Sequence, residues 1–227
     1  MLEALKEKVY RANMRLRDEG LVVLTWGNAS AFDPASGFVV IKPSGVDYAS
    51  MKPEDMVVVD LDGKVVEGGY RPSSDTATHV RLYRGFPGVL GVVHTHSAEA
   101  TARAQTRREI PCYGTTHADC FHGSVPVTRP LSADEVASDY EGNTGNVIVE
   151  RFQGLDPLAQ PGVLVAGHGP FTWGTDVMKA VDNAVSLEEI ARMARFTEQI
   201  GAVPLEDYVS EKHYSRKHGP GAYYGQK

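Results

Sequence analysis

The chain has 227 residues, 42% of them hydrophobic and 23% charged, which suits one large domain with a packed core rather than a disordered segment. A formal net charge of -6 argues against general nucleic-acid binding, which needs a basic surface, while leaving room for a small anionic substrate at a locally positive site. Two cysteines without a C-x-x-C spacing exclude a disulfide framework and fit a reducing cytoplasm. No segment has the signature of a signal peptide or the apolar length of a membrane span, so a soluble, cytoplasmic protein is expected.

Leu5, Val9, Ala12 and Leu16 recur at helical spacing and predict an amphipathic helix over 3–19, stopped by Gly20. The short apolar stretch Leu21 to Leu24 runs into a polar turn, Trp26-Gly27-Asn28-Ala29-Ser30. Gly37 to Ile41 reads as a buried strand ending at Lys42-Pro43-Ser44-Gly45. Met56–Val59 and Lys64–Glu67, joined through Asp62-Gly63, read as a hairpin. Pro72-Ser73-Ser74-Asp75 marks a helix start, and that helix carries Val80, Leu82 and Tyr83 before Pro87.

Val89 to Val93 is the next expected strand, and Ala98 to Thr106 the next helix. The segment from Ile110 to Arg129 has few signals of regular structure. Pro161 to Ala166 reads as a strand that ends in Gly167-His168-Gly169-Pro170. A long helix is expected from about Thr175, with Ala180, Ala184, Leu187, Ala191 and Ala194 on one face. The C-terminal tail is polar and aromatic, unsuited to a core. Strands separated by helices, with hairpins among them, predict an α/β sheet layered with helices.

Chemistry-bearing residues gather at the ends of these elements. His94 and His96 are two apart, so on an extended chain they share a face, as two imidazoles must to meet one metal ion. Taken alone, H-x-H is equally a pair of polar residues where a strand leaves the core. His168 follows another apolar strand, and Asp75 sits at a helix start, where Asp is also a common cap. Three imidazoles and a carboxylate make a divalent-metal set, with zinc favoured by the nitrogen donors and another divalent cation an alternative.

Three turns, Gly27-Asn28, Ser44-Gly45 and Ser73-Ser74, offer backbone amides beside hydroxyl or amide side chains, and Lys42 is close to Ser44 in sequence. The last of them precedes a helix, where unpaired amides favour phosphate. Each is also an ordinary turn composition. In an extended segment His117 and Asp119 would share a face, and Tyr223-Tyr224 suits either docking or proton donation. Cys120 reads as a small buried thiol. His122, His213 and His218 carry no assignable role from spacing.

Taken together, KPSG, PSSDT, VVHTHS, GTTHAD, GHGPF and the terminal HYxRKHGxxAYYG resemble the class II aldolase/adducin family, most closely its L-ribulose-5-phosphate 4-epimerase branch. The resemblance runs from Thr25 to the tail. It implies a single class II aldolase-like α/β/α sandwich over 1–227, with a central, mainly antiparallel sheet flanked by helices. It implies a homotetramer with sites between subunits, the tail from about 210 to 227 completing a neighbour's site.

It further implies zinc on Asp75, His94, His96 and His168, and a sugar phosphate held by Gly27, Asn28, Ser44, Gly45, Ser73 and Ser74. Asp119 and Tyr224 become the acid/base pair. The implied reaction interconverts L-ribulose 5-phosphate and D-xylulose 5-phosphate by retro-aldol cleavage between carbons 3 and 4, rotation of the aldehyde, and re-addition. The rival activity is a class II sugar-phosphate aldolase of the L-fuculose-phosphate type, in which a glutamate replaces Asp75. A non-catalytic adducin-like interaction protein is a third reading, against which the full set of metal donors weighs. The pattern does not separate an arabinose route from an ascorbate route.

Overall fold

The computed structural model describes residues 2–218 and 220–225. The helix expected at the start is α1 (Glu3–Asp18), whose buried face carries Val9, Ala12 and Leu16. Gly20, at φ 70°, ends it in the left-handed conformation that suits glycine. The strands are β1 (Asn28–Asp33), β2 (Phe38–Ile41), β3 (Val57–Asp60), β4 (Val65–Glu67), β5 (Gly91–His94), β6 (Gly162–Leu164) and β7 (Pro170–Gly174). The other helices are α2 (Thr76–Gly85), α3 (Ala98–Gln105), α4 (Thr115–Ala118), α5 (Ala133–Arg151), α6 (Val177–Ile200) and α7 (Asp207–His218).

One seven-stranded sheet runs in the order β4-β3-β2-β1-β5-β7-β6, and every pair of neighbours is antiparallel. Alternation along the strands divides the apolar residues between two cores. Val40, Val58 and Val93 face α1 and α6, packing on Val9, Leu16 and Val181. Val39, Ile41, Val57, Val59 and Val92 face α2 and α5, packing on Leu82, Phe86, Ile148 and Phe152. Helices on both faces of an antiparallel sheet make the α/β/α sandwich that the motifs imply.

Four elements depart from the sequence reading. β1 lies where a polar turn is predicted. Its Asn, Ala and Ser residues have little strand preference, but burial against α1 decides the matter, and Asn13 clamps the strand by hydrogen bonds to both backbone groups of Ala29 (2.9 and 3.1 Å). β7 forms beyond the Gly167 turn, and α5 forms despite Gly142, Asn143 and Gly145, which are poor helix formers. The tail folds as α7, a helix with no buried residue that rests on α4.

Within 110–129, α4 is helical, so His117 and Asp119 do not share a face as an extended chain would place them. His117 Nε2 donates to the Gly123 carbonyl at 2.7 Å, while Asp119 turns to α7. Of the tail segment 210–227, residues 219, 226 and 227 lie outside the described residues.

Candidate metal and anion site

The site is built where β1, β5 and β7 end together. Register sets Asn28 opposite His94 on one side and Phe171 opposite His94 on the other. His94 is buried, and the Phe171 ring stacks on it with centroids 4.1 Å apart. Its Nδ1 donates to the Pro170 carbonyl at 2.9 Å, which fixes the tautomer and leaves the Nε2 lone pair free. His96 lies just beyond the strand, and its Nε2 approaches His94 Nε2 to 3.1 Å.

Two nitrogens bound to one tetrahedral zinc ion stand about 3.3 Å apart, so this bite suits a metal. The chain following the pair is anchored by α6, where the Glu188 carboxylate accepts the first amides of α3, those of Glu99 and Ala100, at 2.9 Å each.

His168 arrives on the turn between β6 and β7. Gly169 makes the approach possible, because a Cβ there would lie 2.8 Å from the Thr95 carbonyl oxygen. The His168 ring centroid is 4.8 Å from that of His94 and 5.0 Å from that of His96, and one nitrogen from each of the three rings falls within 4.8 Å of the others. Burial, and then the neighbouring imidazoles, push His168 down to about 4 and His96 below its ordinary value. Neutral rings with converging lone pairs are the state that takes up a cation, so the donor set fits a divalent metal.

Asp75 lines the same cleft at the N-cap of α2, yet its carboxylate makes no capping bond. It accepts instead from Asn28 Nδ2 at 2.6 Å. Burial works to raise its pKa, but the histidines and Asn28 outweigh it and hold the carboxyl below the usual range. The simple capping role is therefore absent. Asp75 stands outside the three-nitrogen cluster in this structure, as a nearby anion.

The cleft, about 590 Å³, is lined by Gly27, Asn28, Ser44, Gly45, Ser73, Ser74, Asp75, His94, His96 and His168, the ten residues expected for substrate and metal. A bridge between Pro43 and Pro72 ties two of the turns together. That bridge occupies the Ser44 and Ser73 amides, which donate to the Arg71 and Lys42 carbonyls, so the Gly45 and Ser74 backbones and the Ser44, Ser73 and Ser74 hydroxyls are donors left for an anion. Gly27 has a second reason to be glycine: it sits at φ 80°, and a Cβ would lie 2.8 Å from Val22 Cγ1 and 3.0 Å from the His94 carbonyl.

Three further lining residues matter. The Lys42 ammonium is buried, donating to the Pro43 and Val46 carbonyls and sitting 4.7 Å above the Tyr48 ring; burial lowers it to about 8. Its nearness to Ser44 in sequence was the only clue to it. Tyr140 and Glu141 reach the cleft because α5 breaks at Asp139 (φ -155°, ψ 78°), and no sequence signal pointed to that break.

Asp119 and Tyr224 come together, but outside this cleft. Burial works to raise Asp119, yet Arg216, His213 and Lys217 hold it below the carboxylate range. Arg216 Nη2 lies 2.7 Å from Oδ2, His213 Nδ1 3.0 Å from Oδ1, and Lys217 Nζ 3.3 Å from Oδ2. Tyr224 is exposed, its ring 5.1 Å from the Arg216 guanidinium and 4.4 Å from the Lys217 ammonium. His218 Nε2 meets the Asp119 carbonyl at 2.8 Å, and His122 pairs with Glu211.

Residues 7–195 match the family model described as the class II aldolase and adducin N-terminal domain. The chain is 58% identical, over all of both chains, to proteins named L-ribulose-5-phosphate 4-epimerase UlaF from Salmonella paratyphi C (strain RKS4594) and from Salmonella typhi. Among solved structures it resembles an L-fuculose 1-phosphate aldolase at 25% identity and TM-score 0.80, covering 94% of this chain and 95% of that one. A second such aldolase, from Glaciozyma antarctica PI12, shares the fold at 20% identity and TM-score 0.78, covering 98% of this chain and 85% of that one. On sequence and fold alike, the chain belongs to the class II aldolase and adducin family.

Proposed function

We propose that the chain is a metal-dependent L-ribulose-5-phosphate 4-epimerase that interconverts L-ribulose 5-phosphate and D-xylulose 5-phosphate. The observation that carries this reading is its end-to-end 58% identity to proteins of that name. The cleft supports it with three converging histidines beside Asp75 and a set of unspent anion donors.

Carbon 4 of the substrate is not next to the carbonyl, so it cannot be inverted by simple proton abstraction. Cleavage of the bond between carbons 3 and 4, rotation of the aldehyde and re-addition achieve the inversion. A divalent cation on His94, His96, His168 and Asp75, zinc being favoured by the nitrogen donors, supplies Lewis-acid polarisation of the carbonyl.

The chain's own groups do the rest. The Ser44 and Ser74 hydroxyls and the Gly45 and Ser74 amides bind the phosphate, with Gly27, Asn28 and Ser73 shaping the pocket. The buried Lys42 ammonium supplies the balancing charge at that end. Asp119 and Tyr224 of a second copy stand on opposite sides of the aldehyde oxygen, one proton-transfer group for each epimer. This arrangement requires a homo-oligomer, which we take to be a tetramer, with the tail of one subunit at the cleft of another. A cytoplasmic location is part of the reading, supported by Cys112 and Cys120 as free thiols.

The test is a product assay. Incubation with L-ribulose 5-phosphate should give D-xylulose 5-phosphate without accumulation of glycolaldehyde phosphate, and a chelator should abolish it. Stoichiometric release of both fragments would move the assignment to an aldolase, the reading favoured by the L-fuculose 1-phosphate aldolase fold match.

A further inference from the structure

His79 lies one turn along α2 from Asp75, is wholly buried, and has no part in the reaction as described. Its Nδ1 is 2.7 Å from Ser30 Oγ, which is itself 2.7 Å from the Tyr83 hydroxyl. Its Nε2 is buried without a hydrogen-bond partner among the described residues. The strongest charge felt by the ring is that of Asp75, followed by His94. Its edge meets Phe171, the same ring that stacks on His94.

Counting protons decides which way this chain points. Ser30 has one hydroxyl proton and two neighbours. If Ser30 donates to Tyr83, then His79 Nδ1 must carry the ring proton, the Tyr83 proton has no acceptor, and a bare Nε2 lone pair lies near an anion. If Tyr83 donates to Ser30, then Ser30 donates to Nδ1, both hydroxyl protons find acceptors, and the one donor left over is an Nε2 N–H on the ring that lies one turn from Asp75. Tyr83, Ser30 and His79 thus form a one-way relay of hydrogen bonds ending in an unused donor.

We propose that His79 is a positioning residue for Asp75: its Nε2–H, oriented by Ser30 and Tyr83, supports the carboxylate in the orientation that serves as a metal donor. This rests on the reading of Asp75 and the three histidines as a divalent-cation site, and not on which sugar phosphate is turned over. Partners that orient a metal-binding group typically contribute 10–100-fold to affinity.

The test measures Zn2+ affinity of the metal-free full chain by competition with a chromogenic chelator, and Co2+ visible spectra of the same proteins. His79→Leu should weaken zinc binding by about 10–100-fold and alter the Co2+ bands. His79→Gln, whose amide N–H stands near the Nε2 position, should recover most of that loss. Tyr83→Phe, which releases the relay without touching the ring, should weaken binding by about tenfold or less.

Wild-type zinc affinity in both His79→Leu and Tyr83→Phe would overturn the proposal. So would equal losses in the leucine and glutamine variants with Tyr83→Phe unchanged, since that pattern reports only a packing defect. Should His79→Leu fail to fold, His79→Gln and Tyr83→Phe decide by the same criteria. A wild type that binds zinc but makes no D-xylulose 5-phosphate would remove the epimerase reading and leave this inference standing.

Discussion

Asp75→Asn separates a capping residue from a metal donor. Asn and Asp are equivalent at a helix N-cap, and the Asp75 side chain makes no capping bond, so the substitution should alter metal-free stability by only about 1 kcal/mol. For a chain of this size that is a change of about 2–4 °C in melting temperature. Metal binding should respond far more, because an amide is a poor substitute for a carboxylate donor. Wild type at a free metal concentration of about 1,000 times Kd gains about 4 kcal/mol of stability.

A hundredfold rise in Kd would leave about 1.4 kcal/mol of that gain, so the metal-induced rise in melting temperature should shrink by about 5–10 °C. Differential scanning fluorimetry of both proteins, with and without Zn2+, measures the two effects in one experiment. Equal metal-induced rises in wild type and Asp75→Asn would refute the assignment of Asp75 as a ligand, whatever the change in turnover.

Tyr224→Phe should cripple epimerisation while leaving zinc binding and melting temperature at wild-type values, as product assay and calorimetry would report. Mixing and reassembling it with Asp75→Asn should restore an intact donor set and an intact tail at about a quarter of the sites if sites are shared between subunits; no recovery would place each site within one chain. Burial lowers His117 to about 4 against 6.5 in the unfolded chain. The unfolded state therefore takes up a proton first as pH falls, so stability is lost between about pH 6.5 and 4. His117→Gln should recover up to about 3 kcal/mol of that slope in urea titrations of the metal-free protein. Gly169→Ala places a methyl 2.8 Å from a backbone oxygen, so it should displace the His168 turn and weaken zinc retention in a dialysis assay.

Much of the site was legible because its residues sit at ends of elements whose apolar runs are easy to read. His94 and His96 close the run that becomes β5, His168 follows the run that becomes β6, and Ser73 to Asp75 open α2. What escaped was decided by tertiary contact. Asn28 to Asp33 has a turn-like composition and becomes a strand through Asn13 and the neighbouring ladders. Tyr140 and Glu141 reach the cleft through a break in a glycine-rich helix. Thr78 Oγ1 pins that break by donating to the Glu141 carbonyl at 2.6 Å, a contact across 63 residues of chain. The Lys42 role depends on burial, which hydropathy does not reveal for a lysine following a strand.

On the proposed reading, the separation of Asp119 and Tyr224 from the cleft follows from one requirement met by two surfaces. A proton-transfer pair working on the far side of a bound aldehyde must approach from the open mouth, opposite the floor formed by β1, β5 and β7. The described tail cannot do this within its own chain while α7 is tied to α4 through Asp119. A second copy meets no such constraint. The cleft holds the carboxylates of Asp75 and Glu141 against one ammonium, Lys42. Around Asp119 the tail places Arg216 and Lys217, while Glu211 of the same helix pairs with His122. Under the proposed shared site, Arg216 and Lys217 of one copy would approach the Asp75 and Glu141 carboxylates of another, a pairing of opposite charges. In that arrangement the exposed Tyr224, held at the surface by cation–π contact with Arg216 and Lys217 of its own chain, would be within reach of a partner.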